Sequence, residues 1–360
     1  MFTRIVRHQS ACLPLACAAA AFALIGTARL EAQPAAAEDP LLLTATNGTN
    51  NSLAVIDTRT RQVSYVPTGG AGGVGGNAGG VAVQGKLAAV INFGSTNVTI
   101  FVRRGNAMQP TQMIKTSSQP VSVAFGHGHL LVLGQTTVDS FPVYGNMVGN
   151  NDGTMPLARS DKTAAQIVSF DGGVAYSETS GVLTELSVST EAAAGVSGPA
   201  VSVALPAAPN NNTPLGMIGR GANIYLTIAH SDLEALIVGG KIVSTASGPT
   251  PFMDAFGNLT HAPCWNALSG QFLYSSDSPG KQVLRFLVSD TNVFFDKPAA
   301  ATLAGAPTDI DVSGSLLGVI DSGDGVNANA SVFNIDAEGE LTLIFSVKIP
   351  GSINGAALIR

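Results

Sequence analysis

The chain is poor in charged residues, in aromatic residues and in cysteine. Charged residues make up 12% of its 360 residues and aromatic residues 6%, whereas ordinary soluble domains are about 25% charged. No run of Lys or Arg is longer than Arg103-Arg104. Because nucleic-acid binding requires a basic face that neutralises phosphates, we predict no nucleic-acid partner. A hydrophobic content of 45% also excludes general disorder.

Two of the three cysteines lie in an N-terminal segment that has the features of a targeting signal. Arg4 and Arg7 precede an apolar run at residues 11–26, and small residues follow that run. A basic segment, an apolar run and a small-residue cleavage site in this order are typical of a secretory signal peptide. We expect cleavage between Ala28 and Ala37, which predicts a secreted or periplasmic protein. The alanine-rich run favours a bacterial source.

An uncleaved membrane anchor is the alternative for this segment, but the apolar run is short for a span that needs about 20 residues. Residues 1–37 are therefore interpreted as signal peptide and linker, and residues 38–360 as a single domain without a membrane span. Cleavage removes Cys12 and Cys17, so the remaining Cys264 has no partner for an internal disulfide. A chain of this length then needs a large core or a closed repeat.

Helical periodicity is absent as well, since no segment repeats apolar residues at i, i+3, i+4 and i+7 over three turns. Short runs of Val, Leu, Ile and Phe alternate instead with turns rich in Gly, Asn and Asp, as strands do. Residues 119–143 give the clearest example, with three such runs. Related units start near residues 41, 79, 119, 163, 213, 262 and 306.

Successive starts from residue 79 to a last piece at 351 are 40 to 50 residues apart. That period, with three or four strands in each unit, predicts a β-propeller. The unit at 41 lacks its first strand, and residues 351–360 supply a spare one. We therefore predict an all-β, seven-bladed propeller whose ring is closed by the C-terminal strand pairing into the first blade, which hides both terminal edges. We expect it to be a monomer.

Three stretches resemble a known family. Residues 262–286 (APCWNALSGQFLYSSDSPGKQVLRF), 248–257 (GPTPFMDAFG) and 306–321 (APTDIDVSGSLLGVID) are similar to blade phrases of the secreted lactonase-like propellers. That group includes 6-phosphogluconolactonase, carboxymuconate cyclase and YVTN-type surface repeats. The resemblance covers roughly residues 41–360 and implies a seven-bladed propeller without an obligatory cofactor.

The chain departs from this family at one point that concerns activity. Bacterial 6-phosphogluconolactonases of this fold carry a Gly-Pro-Arg-His phrase that opens a central blade. Here Gly198-Pro199 is followed by Ala200 and Val201, and no other blade opening has Arg-His after its proline. The resemblance therefore implies the fold and not the activity.

Ligand sites of propellers usually lie on the face that carries the loops into each first strand and the turns between second and third strands. The repeat places His230, Asp232, His261 and Glu178 on this face, together with turn residues such as Asp277. A histidine beside a carboxylate can act as a general base with its orienting group, so the first four are predicted to form an acid–base cluster. The alternative is that they are solvated turn residues.

Three other groups contain residue types found in metal sites or catalytic sites, but each lacks part of the pattern that such a site requires. His127 and His129 have the spacing of two ligands on one strand face, but they fall at a turn and lack a third ligand. Residues 321–327 resemble part of a calcium loop and are interpreted as a hairpin turn. Cys264 could be a nucleophile, although its place beside Trp265 favours burial. We predict no metal and no cofactor.

Two functions remain open at this point. In the first, the propeller is a secreted binding or interaction module that holds a small molecule or a protein in its funnel, and the missing catalytic phrase favours this function. In the second, it is a lactone hydrolase or a muconate-type cyclase that uses His, Asp and Glu at the funnel rim for general acid–base catalysis. Activity against a panel of lactones would separate the two.

Overall fold

The described part of the chain consists of seven antiparallel sheets. The structure is a computed structural model and describes residues 38–188, 195–206, 213–250 and 253–360. The predicted signal peptide at residues 1–37 lies outside the described residues. Among the described residues, the two helical pieces are single 3₁₀ turns, Phe93–Ser95 and Ala229–Ser231. No helix in the described ranges is long and apolar enough to cross a membrane.

Each sheet is one blade, and the blades are numbered in chain order. Blade 1 contains β1 (Leu41–Ala45), β2 (Ser52–Asp57), β3 (Val63–Pro67) and β29 (Asn354–Ile359). Blade 2 contains β4 (Val81–Gln84), β5 (Leu87–Asn92), β6 (Asn97–Arg104) and β7 (Ala107–Lys115). Blade 3 contains β8 (Pro120–Gly126), β9 (His129–Gly134), β10 (Thr137–Tyr144), β11 (Met147–Val148) and β12 (Gly153–Pro156).

The remaining four blades have four strands each. Blade 4 contains β13 (Ala164–Phe170), β14 (Gly173–Glu178), β15 (Val182–Val188) and β16 (Val196–Val203). Blade 5 contains β17 (Pro214–Arg220), β18 (Asn223–Ile228), β19 (Leu233–Val238) and β20 (Lys241–Ser247). Blade 6 contains β21 (Pro263–Ser269), β22 (Phe272–Asp277), β23 (Gln282–Val288) and β24 (Val293–Thr302). Blade 7 contains β25 (Pro307–Ser313), β26 (Leu316–Asp321), β27 (Asn327–Ile335) and β28 (Leu341–Pro350).

Burial decreases from the inner to the outer strands of a blade, as expected when neighbouring blades pack against the inner strands. The second strands β9 and β18 are buried at every position, because both of their faces pack against neighbouring blades. The outermost strand β20 alternates between exposed and partly buried residues, as expected of an edge strand with one face in solvent. The core therefore consists of clusters between blades. The prediction of an all-β, seven-bladed propeller is confirmed.

The ring closes through the C-terminal strand, as predicted. β29 pairs antiparallel with β1, with Leu41 opposite Ile359 and Leu43 opposite Ala357. It is thus the innermost strand of blade 1, and every one of its residues is buried. The side chain of Asp309 on β25 adds a link from blade 7, since its Oδ2 accepts hydrogen bonds from the N–H groups of Ala356 and of Gly79.

Blades 5 and 6 approach each other closely at Gly216 on β17. A Cβ atom at this position would lie 2.1 Å from the carbonyl oxygen of Cys264 and 2.5 Å from Cα of Trp265, both on β21. These are backbone atoms that cannot move independently of their sheet. The absence of a side chain at Gly216 therefore sets the distance between the two blades.

We expect Gly216→Ala to lower the free energy of unfolding by about 1–3 kcal/mol, because the added methyl group overpacks this interface. Urea denaturation followed by circular dichroism measures the change. Gly75→Ala is the matched control, since a Cβ at Gly75 meets nothing within 4 Å and its φ is not positive. Equal stabilities of the two variants would show that the blades can separate at no cost.

Candidate functional site

One face of the propeller, here called the upper face, carries the loops into the first strands and the turns between second and third strands. The strand register establishes this arrangement, because the first residue of a first strand lies opposite the last residue of the second. Three pairs show it: Pro263 with Asp277, Pro307 with Asp321, and Ala164 with Glu178. The turns between first and second strands, including that of His127, form the lower face.

Acidic residues end the second strands of three blades and anchor the loops of the upper face. The three side chains are buried, and each accepts hydrogen bonds from backbone N–H groups nearby. Their donors are Arg159 and Ser160 for Glu178, Ala262 and Gly280 for Asp277, and Gly323 for Asp321. In blade 6, this anchoring carboxylate has a further partner.

That partner is His261, two residues before β21. Its Nδ1 lies 2.9 Å from Oδ2 of Asp277, and the same oxygen accepts a hydrogen bond of 2.8 Å from Nε2 of Gln282. Because the carboxylate accepts, the network assigns the proton of the ring to Nδ1. The side chain of His261 is 23% exposed, and its Nε2 forms no hydrogen bond with a described residue. Asp277 thus holds the ring and leaves Nε2 available.

Asp232 of blade 5 faces this pair with a buried and unpartnered carboxyl group. It follows the 3₁₀ turn Ala229–Ser231 with a φ of 51°, a conformation that a short polar side chain tolerates. The residue is 2% exposed, and neither carboxyl oxygen has a hydrogen-bonding partner among the described residues. Burial raises the pKa of Asp232 to about 7, while His261 lowers it and Asp277 raises it further.

Gly248 provides the space that the Asp232 carboxyl occupies. A Cβ at Gly248 would lie 2.5 Å from Oδ1 of Asp232, and the N–H of Gly248 donates to the carbonyl oxygen of Asp232 at 2.8 Å. Any side chain at this position would push into the carboxyl group. Sequence reasoning missed both Gly248 and Gln282, since a glycine in a loop and a glutamine at a strand start are common and carry no site signal.

The four residues predicted as an acid–base cluster differ in their surroundings. The structure brings His261 and Asp232 together and adds Asp277. The exposed His230 bonds through Nδ1 to the hydroxyl of Thr213, at the entry to blade 5. Glu178 lies in blade 4, where its hydrogen bonds are those to the loop before β13, and burial raises its pKa.

The three other groups noted in the sequence have structural contacts. His127 adopts a φ of 52° in its turn, and its Nε2 lies 2.8 Å from the carbonyl oxygen of Phe170. Asp324 binds two N–H groups of its own turn and Lys348. Cys264 is buried, and burial raises the pKa of its thiol. No group of three or more His, Cys, Asp or Glu side chains in the described ranges is arranged to hold a metal ion.

A cavity follows the propeller axis. The first strands of all seven blades line it, and its volume is about 250 Å³. The polar side chains in its wall are those of Gln166, Ser169, Asn266, Asp309 and Asp311. Asp309 and Asp311 accept hydrogen bonds from N–H groups of the closing strand, so both contribute to ring closure. Burial raises the pKa of Asp309 to about 6 and that of Asp311 to about 7.

The fold and this site define the class of protein, which is a seven-bladed β-propeller with a group of ionisable side chains between two blades on its upper face. Comparison with known proteins gives no matching family model and no matching curated protein. Solved structures do match. They include the periplasmic gluconolactonase of Pseudomonas aeruginosa, with 16% identity over 89% of this chain and 99% of that chain and a TM-score of 0.66.

Two further matches have the same architecture. A putative 6-phosphogluconolactonase from Bacteroides fragilis is 14% identical over 91% of this chain and 100% of its own, with a TM-score of 0.64. A protein from Lactobacillus plantarum is 13% identical over 89% and 99%, with a TM-score of 0.66. The chain therefore has the same seven-bladed β-propeller fold as these proteins.

Proposed function

We propose that the protein is a lactone hydrolase, secreted or periplasmic after removal of its signal peptide, with its active site between blades 5 and 6. The observation that carries the proposal is the Asp232 carboxyl, buried without a partner beside a histidine that a second carboxylate holds. An unsatisfied buried polar group costs about 1–3 kcal/mol. A bound substrate that completes its hydrogen bonds would recover this cost.

The geometry allows each group a distinct role in opening a ring ester. His261, oriented by Asp277 through Nδ1, takes a proton from water at Nε2, and the water oxygen attacks the ester carbonyl carbon. The ring C–O bond then breaks, and protonated Asp232 donates its proton to the leaving oxygen. The product is a hydroxy acid. His230, exposed two residues before Asp232, lies at the rim, where it can contact the substrate.

The substrate class follows from the site and from the names of two proteins with the same fold. Those proteins are called a periplasmic gluconolactonase and a putative 6-phosphogluconolactonase, which favours the lactone of a sugar acid. Unpartnered carboxyl oxygens suit a ligand with several hydroxyl groups, because each hydroxyl is a donor. No Lys or Arg contacts His261, Asp232 or Asp277 among the described residues, so an unphosphorylated lactone is the preferred substrate.

A pH profile of lactone hydrolysis tests the role of Asp232. Its carboxyl group must be protonated to donate, and its pKa is raised to about 7. We therefore expect kcat/KM for glucono-lactones to fall about tenfold per pH unit above about pH 7, after subtraction of spontaneous hydrolysis. Asp232→Asn should lower kcat/KM by about 10²-fold and abolish this alkaline decline.

The control for this experiment is Asp171→Asn, which changes an exposed aspartate in a turn of the lower face. This variant should keep both the rate and the pH profile of the parent protein. If Asp232→Asn declines above pH 7 in the same way as the parent, another group donates the proton and the assignment of Asp232 is wrong.

A binding module is the second candidate. The absence of Arg-His after Gly198-Pro199 favours it. The same site would then hold a small molecule, or a segment of a protein, without turnover. Titration calorimetry with gluconate and glucono-lactones measures binding independently of hydrolysis. Binding that Asp232→Asn weakens, in a protein with no activity on any lactone, would establish this function and contradict the hydrolase.

A further inference from the structure

Buried polar atoms without a hydrogen-bond partner are concentrated in blades 5 and 6. Among the described residues, seven buried side-chain oxygens lack a hydrogen-bond partner, and two of them belong to Asp232. Three more belong to a group below the candidate site: Oε2 of Glu234, Oδ1 of Asn266 and Oγ of Ser275. Native structures satisfy most buried polar groups, so each exception requires a physical explanation.

The centre of this group is a contact between two side chains of adjacent blades. Glu234 on β19 is 0% exposed, and Asn266 on β21 is 4% exposed. Nδ2 of Asn266 donates to Oε1 of Glu234 at 2.8 Å. The other carboxyl oxygen of Glu234, Oε2, and the amide oxygen of Asn266, Oδ1, have no partner among the described residues. If the carboxyl group is ionised, both of these oxygens are acceptors and cannot bond to each other.

We propose that Glu234 is a neutral carboxylic acid in the folded protein, and that its Oε2–H donates to Oδ1 of Asn266. The acid and the amide then form two parallel hydrogen bonds across the interface between blades 5 and 6. A single proton on Glu234 satisfies both unpartnered oxygens and removes a buried charge, which is costly without a counter-ion. Ser275, directly opposite Asn266 in the sheet, contributes a hydroxyl and no charge.

Among the described residues, none near Glu234 supplies a positive charge that would stabilise its ionised form. Its neighbours across the sheet are Thr227 on β18 and Ala246 on β20. From blade 6 it meets the uncharged Asn266, with the buried thiol of Cys264 two residues away on the same strand. Asp232, two residues before Glu234, is itself acidic. Burial accordingly raises the pKa of Glu234 well above its ordinary value.

The pair makes the contact between these blades dependent on pH. Ionisation of Glu234 removes the donor at Oε2, leaves Oδ1 of Asn266 unpaired and places a charge inside the interface. We expect the contact to weaken as the pH rises through the pKa of Glu234 in the folded protein. This inference concerns the fold and stands whether or not the candidate site hydrolyses a lactone.

Glu234→Gln tests the inference because glutamine reproduces the neutral acid. Its Oε1 can accept from Nδ2 of Asn266, and its Nε2–H can donate to Oδ1. We therefore expect a folded variant at least as stable as the parent at neutral pH. Urea denaturation between pH 5 and pH 9 gives the unfolding constant of each protein as a function of pH.

The expected pH slopes follow from proton linkage. An unfolded glutamate is ionised above about pH 4.3, whereas the folded protein keeps this proton. The unfolding constant of the parent should therefore rise with pH by a factor of ~10 per unit more than that of Glu234→Gln, up to the folded pKa. Asp232, Asp309 and Asp311 also contribute to the pH dependence of the unfolding constant. Their contributions are common to both proteins and cancel when the two pH slopes are subtracted. Glu338→Gln, which changes an exposed glutamate, should keep the slope of the parent.

Three results would overturn the inference. Equal pH slopes for the parent and Glu234→Gln would show that the folded protein does not retain the proton. A Glu234→Gln variant that is much less stable, or that fails to fold, would show that the charge is required. Stabilisation of the parent by sodium or calcium chloride that Glu234→Gln loses would show that an ionised Glu234 binds a cation.

Discussion

A chain that ends at Gly351 is expected to lose the cooperative fold. The deletion removes β29, whose six residues are all buried, and leaves β1 as an open edge beside the propeller axis. Full burial of one Leu or Ile side chain contributes about 1.5–3 kcal/mol, and Leu358 and Ile359 are both lost. The hydrogen bonds to β1 and the contacts with blade 7 disappear as well. The sum approaches the 5–15 kcal/mol that stabilises a typical domain.

Polar contacts from two blades depend on the same strand and add to this loss. Oδ2 of Asp311 accepts from the N–H of Leu358 at 2.7 Å. The guanidinium of Arg103, fully buried in blade 2, donates from Nη1 to the carbonyl oxygen of Ile359 at 2.8 Å. Deletion leaves a buried cation and a carboxylate without these partners. Arg103 keeps its ion pair with Glu38, but a buried N–H donor that loses its acceptor costs about 1–3 kcal/mol.

Thermal unfolding followed by circular dichroism measures this effect. We expect no cooperative transition for the chain that ends at Gly351, and recovery of the transition when a synthetic peptide of residues 352–360 is added in excess. Deletion of Arg360 alone is the control, because its side chain makes one exposed hydrogen bond to Ser313. A truncated chain with the melting temperature of the parent would show that ring closure contributes little to stability.

The sequence was sufficient to predict this closure because the necessary information is local. Apolar runs of four to seven residues and the turns between them recur every 40–50 residues, and each blade is one such unit. The observed first strands begin at Val81, Pro120, Ala164, Pro214, Pro263, Pro307 and Asn354. These positions lie within three residues of the predicted unit starts, since proline and small turn residues limit where a strand can begin.

The candidate site was harder to predict because it depends on contacts between blades. His261 and Asp277 belong to one blade, and their proximity follows from the register that places Pro263 opposite Asp277. Pairing the first and second strands of the blade residue by residue would have predicted the contact between His261 and Asp277 from the sequence. The approach of Asp232 to His261 crosses from blade 5 to blade 6, and no local pattern reports the distance between blades.

The buried acid Glu234 has even less signal in the sequence. It is the one polar residue in the otherwise apolar strand LEALIV of β19, and a single acidic residue in a short strand ordinarily indicates a side chain that reaches solvent. In a propeller, both faces of an inner strand meet neighbouring blades, so the polar position is buried as well. Charge in a third strand therefore indicates an interaction between blades in this fold rather than a surface.

Replacement of His261 by glutamine is expected to cause the largest loss of activity in this protein. Glutamine can accept a hydrogen bond where Nε2 lay, but it cannot take a proton from water. General base catalysis contributes about 10²–10⁴ to a rate, so kcat/KM for glucono-lactones should fall by about that factor. The KM should change less, because the proposed role of His261 is to activate the attacking water. Initial rates with a pH indicator, corrected for spontaneous opening, measure the loss.

Asp277→Asn tests whether Asp277 orients the imidazole ring of His261, because it changes the partner of the ring and leaves the proton-accepting histidine in place. The amide of asparagine can present its N–H₂ group to Nδ1 of His261, which favours the tautomer with its proton on Nε2 and removes the base. We expect a loss close to that of His261→Gln, and the double variant should lose little more than either single variant, because the two residues act as a unit. Additive losses would contradict the pairing seen at 2.9 Å.

The control for both variants is His127→Asn, which removes a histidine of the lower face and keeps a residue that tolerates its positive φ. It should retain the activity of the parent. Circular dichroism and urea denaturation of each variant distinguish a lost base from a lost fold, since Asp277 also anchors the N–H groups of Ala262 and Gly280. If folded His261→Gln protein hydrolyses lactones at the rate of the parent, the candidate site between blades 5 and 6 is not the active site.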